Sequence, residues 1–119
     1  MKSVLIIAHG SKDTKENDAF VEIINMVSEI LGSEYIVDGI FISLKDIDFN
    51  YKLEELVENG IENITIVPYF LFSGRHIKNT IPNMIKDFVK KYPNIEVNLK
   101  NSLGIDRRLA EIVVDRIIE

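Results

Sequence analysis

The 119-residue sequence contains no cysteine. Disulfides and cysteine-ligated zinc or iron–sulfur centres are therefore excluded, and any metal must be held by His, Asp, Glu or another oxygen donor. Histidine is scarce too, with only His9 and His76 present. Positive charge is in deficit: the net charge is −5 and the pI about 5.1. That balance argues against nucleic acid as the main partner. No apolar run approaches the roughly 20 residues needed to cross a bilayer, so no membrane partner is expected. The opening "MKSVLIIAHG" pairs one lysine with a short apolar run, as a signal peptide would. A polar, charged segment follows it, however, and no small-residue cleavage site does. We read it as a first strand and expect a cytoplasmic protein. There is no linker, internal repeat or low-complexity tract, and the length fits one domain spanning residues 1–119.

Two hydrophobic periods alternate along the chain. Ser3 to Ala8, "SVLIIA", is almost wholly apolar, as expected of a strand buried on both faces. Phe20, Ile23, Ile24, Val27, Ile30 and Leu31 then mark one face of a helix that Gly32 ends. "YIVDGIFIS", Tyr35 to Ser43, has strand character with Asp38-Gly39 in its middle. Leu53, Leu56 and Val57 predict a helix stopping near Asn59-Gly60. "NITIVPYFL" is the third strand, with Pro68 near its end. Met84, Ile85, Phe88 and Val89 mark a third helix, with Thr80 as candidate N-cap and Pro82 in the first turn. "NIEVNLK", Asn94 to Lys100, is more polar and suits an edge strand. Leu109, Ile112, Val113 and Ile117 form the last helical face.

The order β-α-β-α-β-α-β-α predicts an α/β fold: a four-stranded parallel sheet with helices on both faces and right-handed crossovers. Ligands of such sheets bind beyond the carboxyl ends of the strands, where the strand order reverses. For the order 2-1-3-4, the reversal lies between strands 1 and 3. His9 follows strand 1 directly, and His76 lies in the loop after strand 3. Both histidines thus fall at one edge, on neighbouring strands. Neutral imidazole is a common ligand for divalent metals such as Co²⁺, Ni²⁺, Fe²⁺ and Zn²⁺, and is also the usual proton acceptor near pH 7. Two imidazoles alone make an incomplete metal site, which suits a metal held briefly and passed on. Gly10, Ser11 and Lys12 lead into helix 1, whose free N–H groups favour an anion. Lys12, Arg75 and Lys78 add cationic side chains at the same edge of an acidic protein. Solvated lysines beside an N-capping serine would give the same pattern. Phe70, Leu71 and Phe72 suit either strand-end core packing or an apolar wall for a ligand.

Other doubly wound proteins fit less well. Histidine phosphatases place arginine before His-Gly, where this chain has Ala8. "HGSKDTKEN" lacks the Ser, Thr and Gly content of a flavodoxin phosphate loop. A response-regulator receiver requires acidic residues at the end of strand 1, and none are there.

Three segments, "LIIAHGSK", "IVPYFLFSGRHIKNTIP" and "NSLGID", resemble in order and spacing the short CbiX group. These are class II chelatases related to sirohydrochlorin cobaltochelatases, ferrochelatases and nickelochelatases. The resemblance covers nearly the whole chain. Its most specific part is V-P-x-F-L-x-x-G-x-H-x-x-x-x-I-P with the upstream strand-HGS. It implies a flavodoxin-like three-layer domain that inserts a divalent metal, Co²⁺ foremost, with Ni²⁺ and Fe²⁺ as alternatives, into sirohydrochlorin. That reaction belongs to cobalamin, siroheme or F430-type biosynthesis. His9 and His76 would be the metal-binding and proton-accepting pair. Gly10, Ser11, Lys12, Ser73, Gly74, Arg75 and Lys78 would meet the carboxylates of the tetrapyrrole. No organic cofactor is implied; the metal is a substrate. Longer relatives carry two such domains around the tetrapyrrole, so the resemblance implies a homodimer here. Ser43 stands where many relatives have a glutamate, Ile47 where they have proline, and Thr80 where they often have aspartate. The Ser43 departure motivates a second reading, a non-catalytic paralogue that holds a tetrapyrrole or a metal for a partner. A hydrolase with His9 as base is the third, without a recognisable nucleophile or oxyanion motif.

Overall fold

Six consecutive residues of the first strand, Ser3 to Ala8, are buried, and that strand organises the rest of the chain. The computed structural model describes residues 2–9, 14–42, 47–72, 74 and 79–119. In chain order the elements are β1 (Lys2–His9), α1 (Thr14–Leu31), β2 (Tyr35–Ile42), α2 (Ile47–Glu58), β3 (Asn63–Pro68), α3 (Ile81–Lys91), β4 (Glu96–Leu99) and α4 (Arg107–Ile118). The strands form one parallel sheet in the order β2-β1-β3-β4. β1 is central, with Leu5 beside Asp38 of β2 and Ile66 of β3. The element order, the topology and the switch point between β1 and β3 are those the sequence predicts.

Alternation along the strands sends side chains to two cores. Leu5, Ile7, Ile64 and Ile66 pack with Phe49, Leu53 and Leu56 of α2 and with Ile81 and Phe88 of α3. Val4, Ile6 and Ala8 pack on the opposite face with Phe20 and Ile24 of α1. Leu5, Ile7, Leu53, Ile64 and Ile66 are wholly buried, each worth roughly 1.5–3 kcal/mol of hydrophobic transfer. Asp38 shares the row of Leu5 on the edge strand, and Lys52 of α2 reaches its carboxylate at 3.4 Å. An inward charge on an edge strand discourages pairing with another sheet.

Gly32 and Gly60 follow α1 and α2 with φ of 85° and 84°, left-handed ends that the sequence marked. Gly39 has a different reason. A Cβ built there would lie 2.8 Å from Phe20 Cε2 and 2.9 Å from Ile24 Cγ1. The bare backbone of β2 at Gly39 therefore lets α1 lie close against the sheet.

Two expectations need correction. Thr80 is already helical, with φ −67° and ψ −51°, and its side chain makes no capping bond. An N-cap needs non-helical backbone to turn its oxygen onto the first N–H groups. Pro82 does sit in the first turn. The second correction concerns α4. The apolar face of Leu109, Ile112, Val113 and Ile117 forms as a helix, yet α4 has no buried residue, and Ile117 is 75% exposed. The helix leaves a tethered loop: Leu103 N donates to Phe70 O at 2.9 Å and Gly104 N to Leu71 O at 2.8 Å. Asp106 then caps it, accepting from Arg108 N at 2.9 Å. The Arg108 side-chain bonds, followed by that backbone bond, hold the Asp106 carboxyl well below the usual carboxylate range. With α4 standing off, the radius of gyration is 15.2 Å, against about 13.5 Å for a compact chain of this length.

Gly39→Val is expected to destabilise the protein by about 1–3 kcal/mol through overpacking against α1. Urea unfolding followed by circular dichroism checks this, and an unchanged midpoint would contradict the close approach of α1.

Candidate functional site

The last register pair between β1 and β3 is Ile7 with Pro68. Tyr69 N continues the pairing by donating to Ile7 O at 2.7 Å. Two residues beyond that pair, His9 and Phe70 lie side by side. Their rings meet edge to face, with centroids 4.5 Å apart and planes at 67°. His9 is exposed at the tip of β1, while Phe70 is half-buried and packs against the α2–α3 core.

Next to His9 opens a cleft of about 380 Å³ between the sheet edge and α1. It is lined by Ala8, His9, Asn17, Ala19, Phe20, Ile23, Phe41, Tyr69 and Phe70. Its walls are mostly apolar, and aromatic contacts stiffen them: Phe20 lies 5.2 Å from Phe41 and 5.5 Å from Tyr69, centroid to centroid. Beyond the cleft, Leu71 is 55% and Phe72 77% exposed. Core packing thus accounts for Phe70 but not for Leu71 and Phe72, which form an apolar surface at the start of the loop. Gly74 is exposed, with open space where a side chain would be.

Of the predicted site residues, His9 and Gly74 are described. Gly10, Ser11, Lys12, Ser73, Arg75, His76 and Lys78 lie outside the described residues, as does Ser43. Topology brings the strand ends that carry the two histidines to adjacent positions, with His76 eight residues after Pro68. Among the described residues, no group of three or more His, Asp or Glu side chains is placed to hold a metal ion. The same residues contain no helix long and apolar enough to cross a membrane.

The sequence reading missed the contact of Phe70 with His9 and the cleft residues Asn17, Ala19, Phe41 and Tyr69. The strand register carries that information. Period-two counting from Ile7 opposite Pro68 pairs position 9 with position 70, but the register itself is not readable from one chain's hydrophobic pattern.

The fold is a doubly wound α/β domain with His9 at the switch-point edge of its sheet. The chain belongs to the CbiX family, whose model matches residues 3–119. Over 119 residues it is 32% identical to a sirohydrochlorin ferrochelatase of Priestia megaterium, covering all of this chain and 44% of that protein. It is 26% identical to a sirohydrochlorin cobaltochelatase of Sulfurisphaera tokodaii, covering all of this chain and 93% of that one. The chain therefore spans under half the length of some relatives and nearly the whole of others. Among solved structures, it superposes on the sirohydrochlorin chelatase SirB of Bacillus subtilis subspecies spizizenii, in complex with cobalt, with a TM-score of 0.82. Identity there is 24%, covering 98% of this chain and 50% of that one. A putative cobalamin biosynthesis CbiX protein of Marinobacter aquaeolei gives a TM-score of 0.76 at 22% identity, over 98% and 94% of the two chains. At these identities the superpositions establish the shared fold.

Proposed function

We propose that this chain is a cytoplasmic sirohydrochlorin chelatase that inserts a divalent metal, Co²⁺ foremost, with Ni²⁺ and Fe²⁺ as alternatives. The observation that carries the reading is His9, exposed at the tip of the central strand beside an apolar cleft, in a chain matched to the CbiX family from residue 3 to the end. The whole-length likeness to relatives named for cobalt and for iron supports the substrate class and leaves the metal to experiment. Affinity alone would not choose it, because the order of divalent-metal affinities is much the same at any such site.

His9 and His76, both neutral, bind the incoming metal. The carboxylates of the macrocycle dock on Lys12, Arg75 and Lys78 and on the backbone of Gly10, Ser11, Ser73 and Gly74. Leu71 and Phe72 offer the ring an apolar surface. As the metal passes to the four ring nitrogens, two pyrrolic N–H protons leave. A released imidazole accepts one of them and water the other. Neither an oxidant nor an organic cofactor enters the balance.

The chain acts as a homodimer in this reading. α1 is alone on its face of the sheet, whereas α2 and α3 share the other. The half over β3 and β4 carries Asn63, Thr65, Glu96 and Asn98 by alternation from the buried Ile64 and Ile66 and the partly buried Val97 and Leu99, while Val67 already packs on the α1 side. The same chain holds an unpartnered apolar helix in α4. In the proposed pair each copy's α4 buries its apolar face against the other copy, and the reciprocal contact makes a closed two-fold pair.

The enzyme with sirohydrochlorin and Co²⁺ is expected to accelerate the absorbance change of metallation. His9→Ala and His76→Ala should each retain the fold and lose activity on the order of a hundredfold. Full activity in either variant would remove that histidine from the mechanism. Binding of both substrates without faster insertion would mark the chain as a carrier instead. Light scattering should give twice the chain mass, and Val113→Asp with Ile117→Asp should give a monomer. A monomeric parent protein would contradict the dimer.

A further inference from the structure

We infer that Phe70 is a positioning residue for His9, and that the loop after β4 holds Phe70 in place. The inference rests on the chelatase reading for its consequence, but not for the contact itself. His9 ends its strand and is exposed, so its backbone is fixed while its imidazole projects past the sheet edge. A ligand that must give a metal up needs its ring held at one angle, since a nitrogen that swings away neither receives nor delivers. The Phe70 ring meets the imidazole at 67° with a centroid separation of 4.5 Å, an edge-to-face geometry that aromatic pairs favour over parallel stacking.

Phe70 is itself anchored on three sides. Tyr69 N, one residue earlier, is bonded to Ile7 O of β1. On the other side, the carbonyls of Phe70 and Leu71 accept from Leu103 N and Gly104 N. These two bonds extend the β3–β4 side of the sheet past Lys100 N, which donates to Ile66 O at 2.8 Å. The ring leans on the α2–α3 core below. The segment "NSLGID" thereby acquires a role that its sequence does not announce. It lies away from both histidines along the chain, yet its backbone is one contact removed from the His9 ring. Phe70 touches His9 and is half-buried, whereas its neighbours Leu71 and Phe72 are turned outward. The apolar triplet is therefore divided: one ring orients the histidine, and two side chains face the ligand.

The test compares Phe70→Leu, which keeps apolar bulk and removes the ring, with Phe70→Tyr, which keeps the ring. Each is made in the full chain, and folding is checked by circular dichroism. In a His76→Gln background, His9 is the sole source of imidazole proton signals, and these report the neighbouring ring directly. The ring-current displacement of the His9 protons should disappear in Phe70→Leu and persist in Phe70→Tyr. With His76 present, Phe70→Leu should lower kcat on the order of ten- to a hundredfold, leave KM for the tetrapyrrole within about twofold, and be rescued by Phe70→Tyr. If Phe70→Leu does not fold, Phe70→Met replaces it. Unchanged His9 signals in the ringless variant would overturn the inference. So would an unchanged kcat, or a loss carried by KM, which would make Phe70 a ligand contact or a packing residue. Should the parent protein fail to insert metal, the chelatase reading falls, while the proton signals still decide whether Phe70 orients His9.

Discussion

The burial of β1 between β2 and β3 is the constraint on which the rest of the molecule depends. A strand with six consecutive buried residues needs pairing on both edges and covering on both faces. Parallel neighbours then require crossover helices, and α1 and α2 supply one for each face. With β2 on one side and β3 on the other, strand order reverses at β1, so the residue leaving its carboxyl end stands in the crevice of the sheet. That residue is His9. The same hydrogen bonds that close the core deliver an imidazole to the edge where a ligand can approach.

The α/β alternation was readable because the two periods differ so clearly. "SVLIIA" has no polar interruption, and the helices carry their apolar residues three and four apart. Glycine told less than it meant. Gly39 in the middle of a strand reads as an anomaly until Phe20 and Ile24 are seen to occupy the space its side chain would take. Thr80 has the right chemistry for a cap and the wrong backbone, because the chain is already helical there. The α4 pattern was right as a helix and silent about its partner. An amphipathic face announces that something covers it, but not whether that something is the same chain. Here the helix leaves a loop tied to Phe70 and Leu71 and stands clear of its own sheet.

The site was legible as a place and less so as an arrangement. The adjacent carboxyl ends of β1, with His9, and β3 follow from topology alone, and the motif that contains both histidines points to the CbiX family, which the match over residues 3–119 establishes. What one sequence does not carry is register. Only the pairing of Ile7 with Pro68 sets Phe70 beside His9 and divides the apolar triplet into an inward ring and two outward side chains. In the proposed reading, an open, incomplete metal site would use the imidazole at the β1 tip and the apolar cleft beside it, with His76 as the expected second ligand.

The central claim is that His9 and His76 meet on one metal ion. A crystal structure of the protein soaked with Co²⁺ tests it most directly. The account predicts a single ion at the carboxyl edge of β1 and β3, bonded to one nitrogen of each imidazole at about 2.0–2.2 Å and open to solvent on its remaining sides. Cobalt bound elsewhere, or held by His9 while His76 points away from it, would contradict the account.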